Sequence, residues 1–346
     1  MKRILMTGNE AIGEGAIQAG CSFYAGYPIT PQNELTAYMA KRMADENRIF
    51  IQAESELAAI NMVFGASAAG ARVMTSSSSP GISLKQEGIS YLAGCQLPCV
   101  IVNIMRGGPG LGNIAPSQSD YFQATKGGGH GDYHCIVLAP CSVQEGFDLM
   151  SLAFELADRY RNSVIILGDG MLGQMMEPMV IRNKRKQLTV KPWVLSGCKN
   201  RKPNIIRSLY LKEGALEELN KMLQRRYRQI QSSQQRWEGL FLADAKIILV
   251  AYGTMARIAR SAVRQLRNNG KKIGLIRPIT LWPFPRKAFN KKPVSKVKYL
   301  VVEMSYGQML EDVKLAVEGR NPVEFLGRAG GGIPSEKEII KRVNEL

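Results

Sequence analysis

Residues 49–77 read IFIQAESELAAINMVFGASAAGARVMTSS, and the change of period inside this stretch decides the fold. Ile49 to Gln52 is a short apolar run of strand length, and Arg72 to Thr75 is a second. Between them, Glu54 to Ala69 is too long for a strand. Apart from Asn61, it is polar on no face for three turns after Glu56, which predicts a buried helix. A carboxylate at the start of such a helix needs a partner, because an unpaired charge is costly to remove from water.

The same alternation extends in both directions. Arg3 to Met6, Phe23 to Tyr27, Cys99 to Met105, Cys135 to Ala139 and Ser163 to Leu167 read as strands. Their near-continuous Val, Ile, Leu and Phe content suits strands of a parallel sheet buried on both faces. Glu34 to Arg42 reads as a helix, as does Val143 to Asp158 with Ser142 as its N-cap. From Glu177 to Asn204 the rhythm gives way to a basic, proline-containing stretch that includes Arg182, Lys184, Arg185, Lys186, Lys191, Arg201 and Lys202. A polar helix follows from Leu216 to Trp237, carrying Arg225, Arg226 and Arg228. Strands then resume at Lys246 to Ala251, Lys271 to Ile276, Lys298 to Val302 and Val323 to Leu326. The expected organisation is α/β throughout: a parallel-sheet domain over 1–185, a basic linker and helix over 186–240, and a smaller α/β domain over 241–346.

The chain has 346 residues, enough for two cores of ordinary size. No stretch approaches the roughly 20 apolar residues that span a bilayer, and the opening Met-Lys-Arg-Ile-Leu-Met-Thr-Gly resembles a strand more than a signal peptide. A soluble cytoplasmic protein is expected. The six cysteines include no C-x-x-C pair and match neither a zinc site nor a ferredoxin-type cluster, so they read as small buried hydrophobes. The net charge of +17 is unevenly placed: residues 1–180 hold 11 basic against 16 acidic groups, and residues 181–346 hold 35 against 13. Such a balance serves an anionic partner, a polyanionic cofactor, nucleic acid, or solubility alone. No zinc finger, RNA-recognition signature or aromatic-basic repeat accompanies it, which makes nucleic acid a minor reading.

Four segments carry candidate chemistry. In Gly26-Tyr27-Pro28-Ile29-Thr30-Pro31, two prolines stiffen a strand-to-helix turn around one hydroxyl; a plain helix-start turn reads the same way. Glu54 and Glu56 lie two apart at the head of the apolar helix, so they point to different sides and at most one reaches a given ligand. The alternative is favourable placement of acids at a helix N-terminus. The loop Thr75 to Gly81, with four consecutive serines, offers hydroxyls and amides at a strand end, as ordinary turns also do. Arg106 stands between a buried strand and the glycine-rich run to Asn113, suited to grip a carboxylate or to make a structural ion pair. A later run, Gly127 to Asp132, is flexible enough for a lid, with His130 as a candidate contact.

Together, in this order and spacing, these segments resemble the first subunit of the thiamine-diphosphate-dependent 2-oxoacid:ferredoxin oxidoreductases. The resemblance extends to Ala251-Tyr252-Gly253-Thr254, Arg277 to Pro285 and Glu303 to Gln308, which are similar to that family's transketolase C-terminal-like domain, so it covers nearly the full chain. It is strongest toward the branched-chain, 3-methyl-2-oxobutanoate enzyme over Ser76 to Gln86 and Gln123 to Tyr133, with 2-oxoglutarate enzymes also similar. The resemblance implies that this subunit binds the aminopyrimidine of thiamine diphosphate while a β subunit holds the diphosphate and Mg2+. It implies Glu56 as the residue on the pyrimidine ring nitrogen, and Thr30 and Arg106 on the 2-oxoacid carboxylate. Tyr27, Pro28, Ile29, Ser78, Pro80, Gly81 and Asn113 would surround the cofactor. A γ subunit, a ferredoxin-like δ subunit carrying [4Fe-4S] clusters, ferredoxin and coenzyme A complete the implied assembly. No metal ligand is expected on this chain.

Leu167-Gly168-Asp169-Gly170-Met171 imitates the start of the metal-diphosphate signature of thiamine enzymes, which ends in an asparagine about where Asn200 lies. Asn200 falls in the basic stretch with no apolar strand around it, so a turn after the last strand is the expected role for Asp169. Two other classes remain as alternatives. One is a basic, non-catalytic interaction subunit; the other is a self-sufficient thiamine diphosphate decarboxylase.

Overall fold

The computed structural model describes residues 3–182, 191–290 and 297–346. Its largest sheet has seven strands in the order Thr280–Trp282, Ile136–Leu138, Ser163–Asp169, Cys99–Met105, Val73–Ser77, Phe23–Gly26, Ile49–Gln52. All neighbours are parallel except the first pair. The Cys99–Met105 and Ser163–Asp169 strands pair along seven residues and are buried throughout, as their unbroken apolar content requires. The Gly8–Gln18 helix packs between Asn33–Asp45 and Val143–Tyr160, while Glu56–Ala68 packs on Ser79–Gly94. Ser142 does cap its helix, accepting from the Glu145 amide at 3.2 Å.

A second sheet has the order Val323–Gly327, Lys298–Glu303, Ile247–Val250, Ile273–Pro278, Trp237–Leu240, parallel but for the last strand. The structure is therefore α/β in both parts, as read from the sequence. No helix among the described residues is long and apolar enough to cross a membrane.

Several expectations are corrected. The first strand, Ile4–Thr7, does not enter the large sheet; it pairs antiparallel with Met176–Met179. Only Met6 in it is buried, and Leu5 is largely exposed. An apolar run of four does not distinguish a strand covered on both faces from one covered on a single face, and Pro178 opposite Leu5 removes a donor from the ladder. The polar helix ends at Ser233 rather than Trp237, because Trp237 already begins the edge strand of the second sheet. That helix buries Leu219, Leu223, Tyr227 and Ile230, one face at helical spacing. Residues 280–282, placed with the second domain and not read as a strand, form the strand Thr280–Trp282 at the edge of the first sheet. The boundary placed at 185/186, with Lys184, Arg185 and Lys186, lies outside the described residues. Five cysteines are buried, but Cys198 is exposed.

Candidate active site

The C-terminal ends of the parallel strands carry the candidate segments, the edge where open α/β sheets bind ligands. After Gln52, the chain turns into the helix Glu56–Ala68, with Ser55 as N-cap accepting from the Ala58 amide at 3.1 Å. This one-residue offset separates the two acids. Glu54 precedes the cap and is exposed; Glu56 is the first helical residue and only 6% exposed. The helix itself is less buried than its composition suggests, with Leu57, Asn61 and Gly65 exposed on one side.

Gly81 faces the Glu56 carboxylate. A Cβ at Gly81 would stand 2.6 Å from Glu56 Oε1 and 2.1 Å from Ser77 Oγ, so only glycine lets the two helices approach here. One turn further along the same helix is Lys85, fully buried. Its Nζ donates to the Thr75 hydroxyl at 3.0 Å and the Glu56 carbonyl at 3.3 Å. Burial pulls its pKa down to about 8, opposed by the negative charge of Glu56. The sequence reading did not single out Lys85. Its spacing of four from Gly81, which puts both on one face of a helix, was the available signal.

The serine loop ties the other segments together. Ser76 Oγ donates to Gln32 Oε1 at 2.6 Å and meets the buried Tyr24 hydroxyl at 2.6 Å, while Gln32 Nε2 donates to the Tyr27 carbonyl at 3.4 Å. The turn from Tyr27 to Pro31 is thereby tethered to the loop. Ser79 adopts a φ of 25°, outside the usual region for a residue with a side chain. Its amide donates to Asn103 Oδ1 at 3.1 Å, and its hydroxyl donates to Asp120 at 2.6 Å and accepts from the Arg106 amide at 3.0 Å. Asn103 also donates to Asp120, at 2.9 Å. Burial raises the Asp120 carboxyl pKa, and the hydrogen bonds from Ser79 and Asn103 oppose it. Asn103 and Asp120 were not anticipated; neither stands in a recognisable motif.

Arg106 is 7% exposed and joins two turns. Its Nη1 donates to the Thr30 carbonyl at 2.9 Å and its Nη2 to the Leu111 carbonyl at 3.0 Å. The half-buried Thr30 places its hydroxyl as acceptor for Asn33 Nδ2 at 3.2 Å. Ile29 and Pro80 are also half-buried, whereas Tyr27 and Pro28 are exposed at the rim. Asn113 is exposed, and both ends of its amide are engaged: Nδ2 donates to the Gly330 carbonyl and Oδ1 accepts from the Ala115 amide, each at 3.0 Å. The run around His130 lies elsewhere. Ser90 Oγ donates to the His130 carbonyl, and Ser90 is eleven residues beyond Ser79, about 16 Å along one helix.

Asp169 is buried, with Oδ1 accepting from the Met171 and Leu172 amides at 3.0 and 3.1 Å as N-cap of Gly170–Gln174; burial raises its carboxyl pKa. Asn200 is exposed. Among the described residues no group of three His, Cys, Asp or Glu is arranged to hold a metal ion.

The residues fit a polar heterocycle entering at this edge. Ser77 Oγ, Ser78 Oγ and Arg106 Nε are buried without a hydrogen-bond partner among the described residues, and the Glu56 carboxylate lies against Gly81 close to Ser77 Oγ. Tyr27, Leu57, Leu84, Leu111 and Ile114, on the same segments, are large apolar side chains left exposed.

Residues 14–235 match the family model for the thiamine diphosphate-binding domain of pyruvate flavodoxin/ferredoxin oxidoreductases, and residues 245–339 match core domain II of pyruvate:ferredoxin oxidoreductase. The ketoisovalerate oxidoreductase subunit VorB of Methanothermobacter marburgensis is 50% identical over 99% of this chain and 97% of its own length. The 2-oxoglutarate synthase subunit KorA of Methanocaldococcus jannaschii is 36% identical over 99% of this chain and 100% of its own. Among solved structures, the 2-oxoglutarate:ferredoxin oxidoreductase from Magnetococcus marinus, with 2-oxoglutarate, coenzyme A and succinyl-CoA bound, superposes with a TM-score of 0.88 at 28% identity. That match covers 99% of this chain and 65% of the other. With its fold, the order of its strand-end segments and these relatives in agreement, the chain belongs to the 2-oxoacid:ferredoxin oxidoreductase family.

Proposed function

We propose that this chain is the pyrimidine-binding subunit of an oxidoreductase that converts a branched-chain 2-oxoacid, 3-methyl-2-oxobutanoate, with coenzyme A into acyl-CoA and CO2 while reducing ferredoxin. The observation that carries this reading is the buried Glu56 carboxylate facing Gly81, together with two serine hydroxyls that have no hydrogen-bond partner among the described residues. Glu56 would hydrogen-bond the ring nitrogen of the aminopyrimidine, with Ile29, Ser78, Pro80 and Gly81 around the ring and Tyr27 and Pro28 at its rim. Bound there, thiamine diphosphate supplies the carbanion chemistry of decarboxylation. Arg106, already fixed to the Thr30 carbonyl, retains Nε and further N–H groups for the substrate carboxylate, and Thr30 lines the same approach. Asn113 acts through the loop it ties to Gly330.

The diphosphate, its Mg2+ and the [4Fe-4S] clusters belong to partner β and δ subunits, with a γ subunit completing the assembly. The exposed apolar side chains on these segments support this division, because a partner subunit would cover such groups. The test is reconstitution. The chain with its partner subunits should reduce ferredoxin with 3-methyl-2-oxobutanoate in preference to 2-oxoglutarate, and the chain alone should reduce nothing. Turnover by the lone chain would overturn the half-site reading, and a preference for 2-oxoglutarate would overturn the substrate.

A further inference from the structure

The site described above does not use the basic stretch after residue 190. Its described part folds against the opposite end of the large sheet: the Leu195 amide donates to the Ala68 carbonyl at 2.9 Å, just ahead of the strand Val73–Ser77. Gln96 and Arg161 likewise precede the strands Cys99–Met105 and Ser163–Asp169. One strand length, about 20 Å, separates this end from Arg106.

Here Gln96, Arg161, Trp193, Asn204, Arg207 and Tyr210 are among the residues lining a cavity of 160 Å³. The Arg161 guanidinium lies 4.5 Å over the Trp193 ring and that of Arg207 lies 4.8 Å over Tyr210, so two aromatic faces hold two cations in place. A third, Arg226, braces the wall from the polar helix, with Nη2 donating to Gln96 Oε1 at 2.7 Å and Nη1 to the Arg161 carbonyl at 3.4 Å. With its oxygen engaged by Arg226, Gln96 keeps its amide NH2 as a donor.

None of the three arginines forms an ion pair among the described residues. Asp158, the acid next before Arg161 in sequence, is already held by Arg72 at 2.8 Å and Lys191 at 2.9 Å. Arg161 and Arg226 are partly removed from water, and the charge of Arg226 acts against that of Arg161. Three cations gathered around a polar recess without a carboxylate are a repulsive arrangement that an anion relieves. Guanidinium forks match the oxygens of phosphate in particular, and the cavity admits one tetrahedral oxyanion rather than a whole coenzyme.

We propose that this cavity is a phosphate-binding site, distinct from the Glu56 edge, formed by Arg161, Arg207 and the Gln96 amide and braced by Arg226. Occupancy ties the 193–210 segment to the sheet. The phosphate is either free inorganic phosphate or the phosphate of a monoester, and the experiment separates the two.

The assembled oxidoreductase is titrated calorimetrically with inorganic phosphate and, separately, with adenosine monophosphate, at constant ionic strength set by chloride. One saturable phosphate site per chain is expected. Arg161→Gln and Arg207→Gln should each weaken it at least tenfold, while Arg225→Gln, the same charge change at an exposed position on the neighbouring helix, should leave it unchanged. Tighter binding of the nucleotide assigns a monoester; binding of phosphate alone assigns the free ion. Turnover at saturating substrate should be equal in all variants. If Arg161→Gln fails to assemble, the exposed Arg207 decides the matter. Absence of saturable binding, or equal weakening by Arg225→Gln, overturns the proposal by reducing the cluster to a general positive field.

Discussion

The two sheets present similar residues at their C-terminal edges and use them differently. At the second sheet, Glu303 closes its strand with its carboxylate accepting from the Ser305 hydroxyl at 2.5 Å and the Met309 and Leu310 amides at 3.1 and 3.2 Å. Arg277 is held at all three nitrogens: two donate to Glu145 at 2.8 and 2.9 Å and Nε donates to Glu238 at 2.9 Å. At the first sheet, Arg106 Nε and the Ser77 and Ser78 hydroxyls have no hydrogen-bond partner among the described residues. A glutamate and an arginine at strand ends are thus no indication of function in themselves. The informative difference is whether the buried polar atoms are satisfied, since an unsatisfied one costs stability and persists where something else, such as ligand binding, requires it.

The largest effect expected from this contrast is at Glu56. Glu56→Gln should preserve folding and assembly yet slow exchange of the thiazolium C2 proton with deuterium by about two to four orders of magnitude, the scale of lost general acid–base help. Glu54→Gln should keep most of the rate. Equal rates in the two variants would remove Glu56 from its proposed role.

Arg277→Met should act the other way round. It leaves Glu145 without its cation, while Glu238 keeps Arg260 at 2.7 Å, so urea unfolding should show a loss of about 3 kcal/mol, with turnover of the folded complex unchanged. Lost turnover at full stability would erase the distinction between the two edges.

Lys85 belongs to the first edge but is buried like the groups of the second. Its pKa of about 8 in the folded protein lies below the ordinary value of 10.5, so between these values the unfolded chain binds the extra proton and stability rises with pH. Below about 8 the full penalty applies. Lys85→Met should abolish this rise, which amounts to at most about 3 kcal/mol. Unfolding midpoints of both proteins from pH 7 to 10 measure it, and parallel curves would show that Lys85 stays fully charged at no cost.

The smallest effect compares two caps. Ser55 accepts from the Ala58 amide beside Glu56, and Ser335 forms a capping box with Glu338 on the second part. Each change to alanine should cost about 1 kcal/mol. Only Ser55→Ala should also lower turnover, because it loosens the turn that presents Glu56. Equal turnover would show that the cap does not orient the carboxylate.

What could be read from the sequence follows from range. The Val73–Ser77 strand, the Glu56–Ala68 helix and the Ser142 cap are set by neighbours a few positions away, and period and capping chemistry announce them. The separation of Glu56 from Glu54 was legible as geometry, although the residue that caps the helix between them was not identified. Arrangements that depend on a distant partner were not visible. Nothing near Leu5 indicates that its ladder lies with Pro178, and nothing near Asp120 points to Ser79 and Asn103. Lys85 is an intermediate case, since its spacing from Gly81 is local but its partners lie on two other elements.

The Thr280–Trp282 strand has a practical consequence for anyone dividing this chain. A fragment cut between the two matched family domains would lack that strand, and Ile136–Leu138 would become an open edge with unpaired amides and carbonyls. The shorter fragment would invite strand-to-strand aggregation. The two halves are therefore better treated as one heritable and expressible unit, and exchanging second domains between relatives should succeed only when residues 280–282 stay with the sheet they complete.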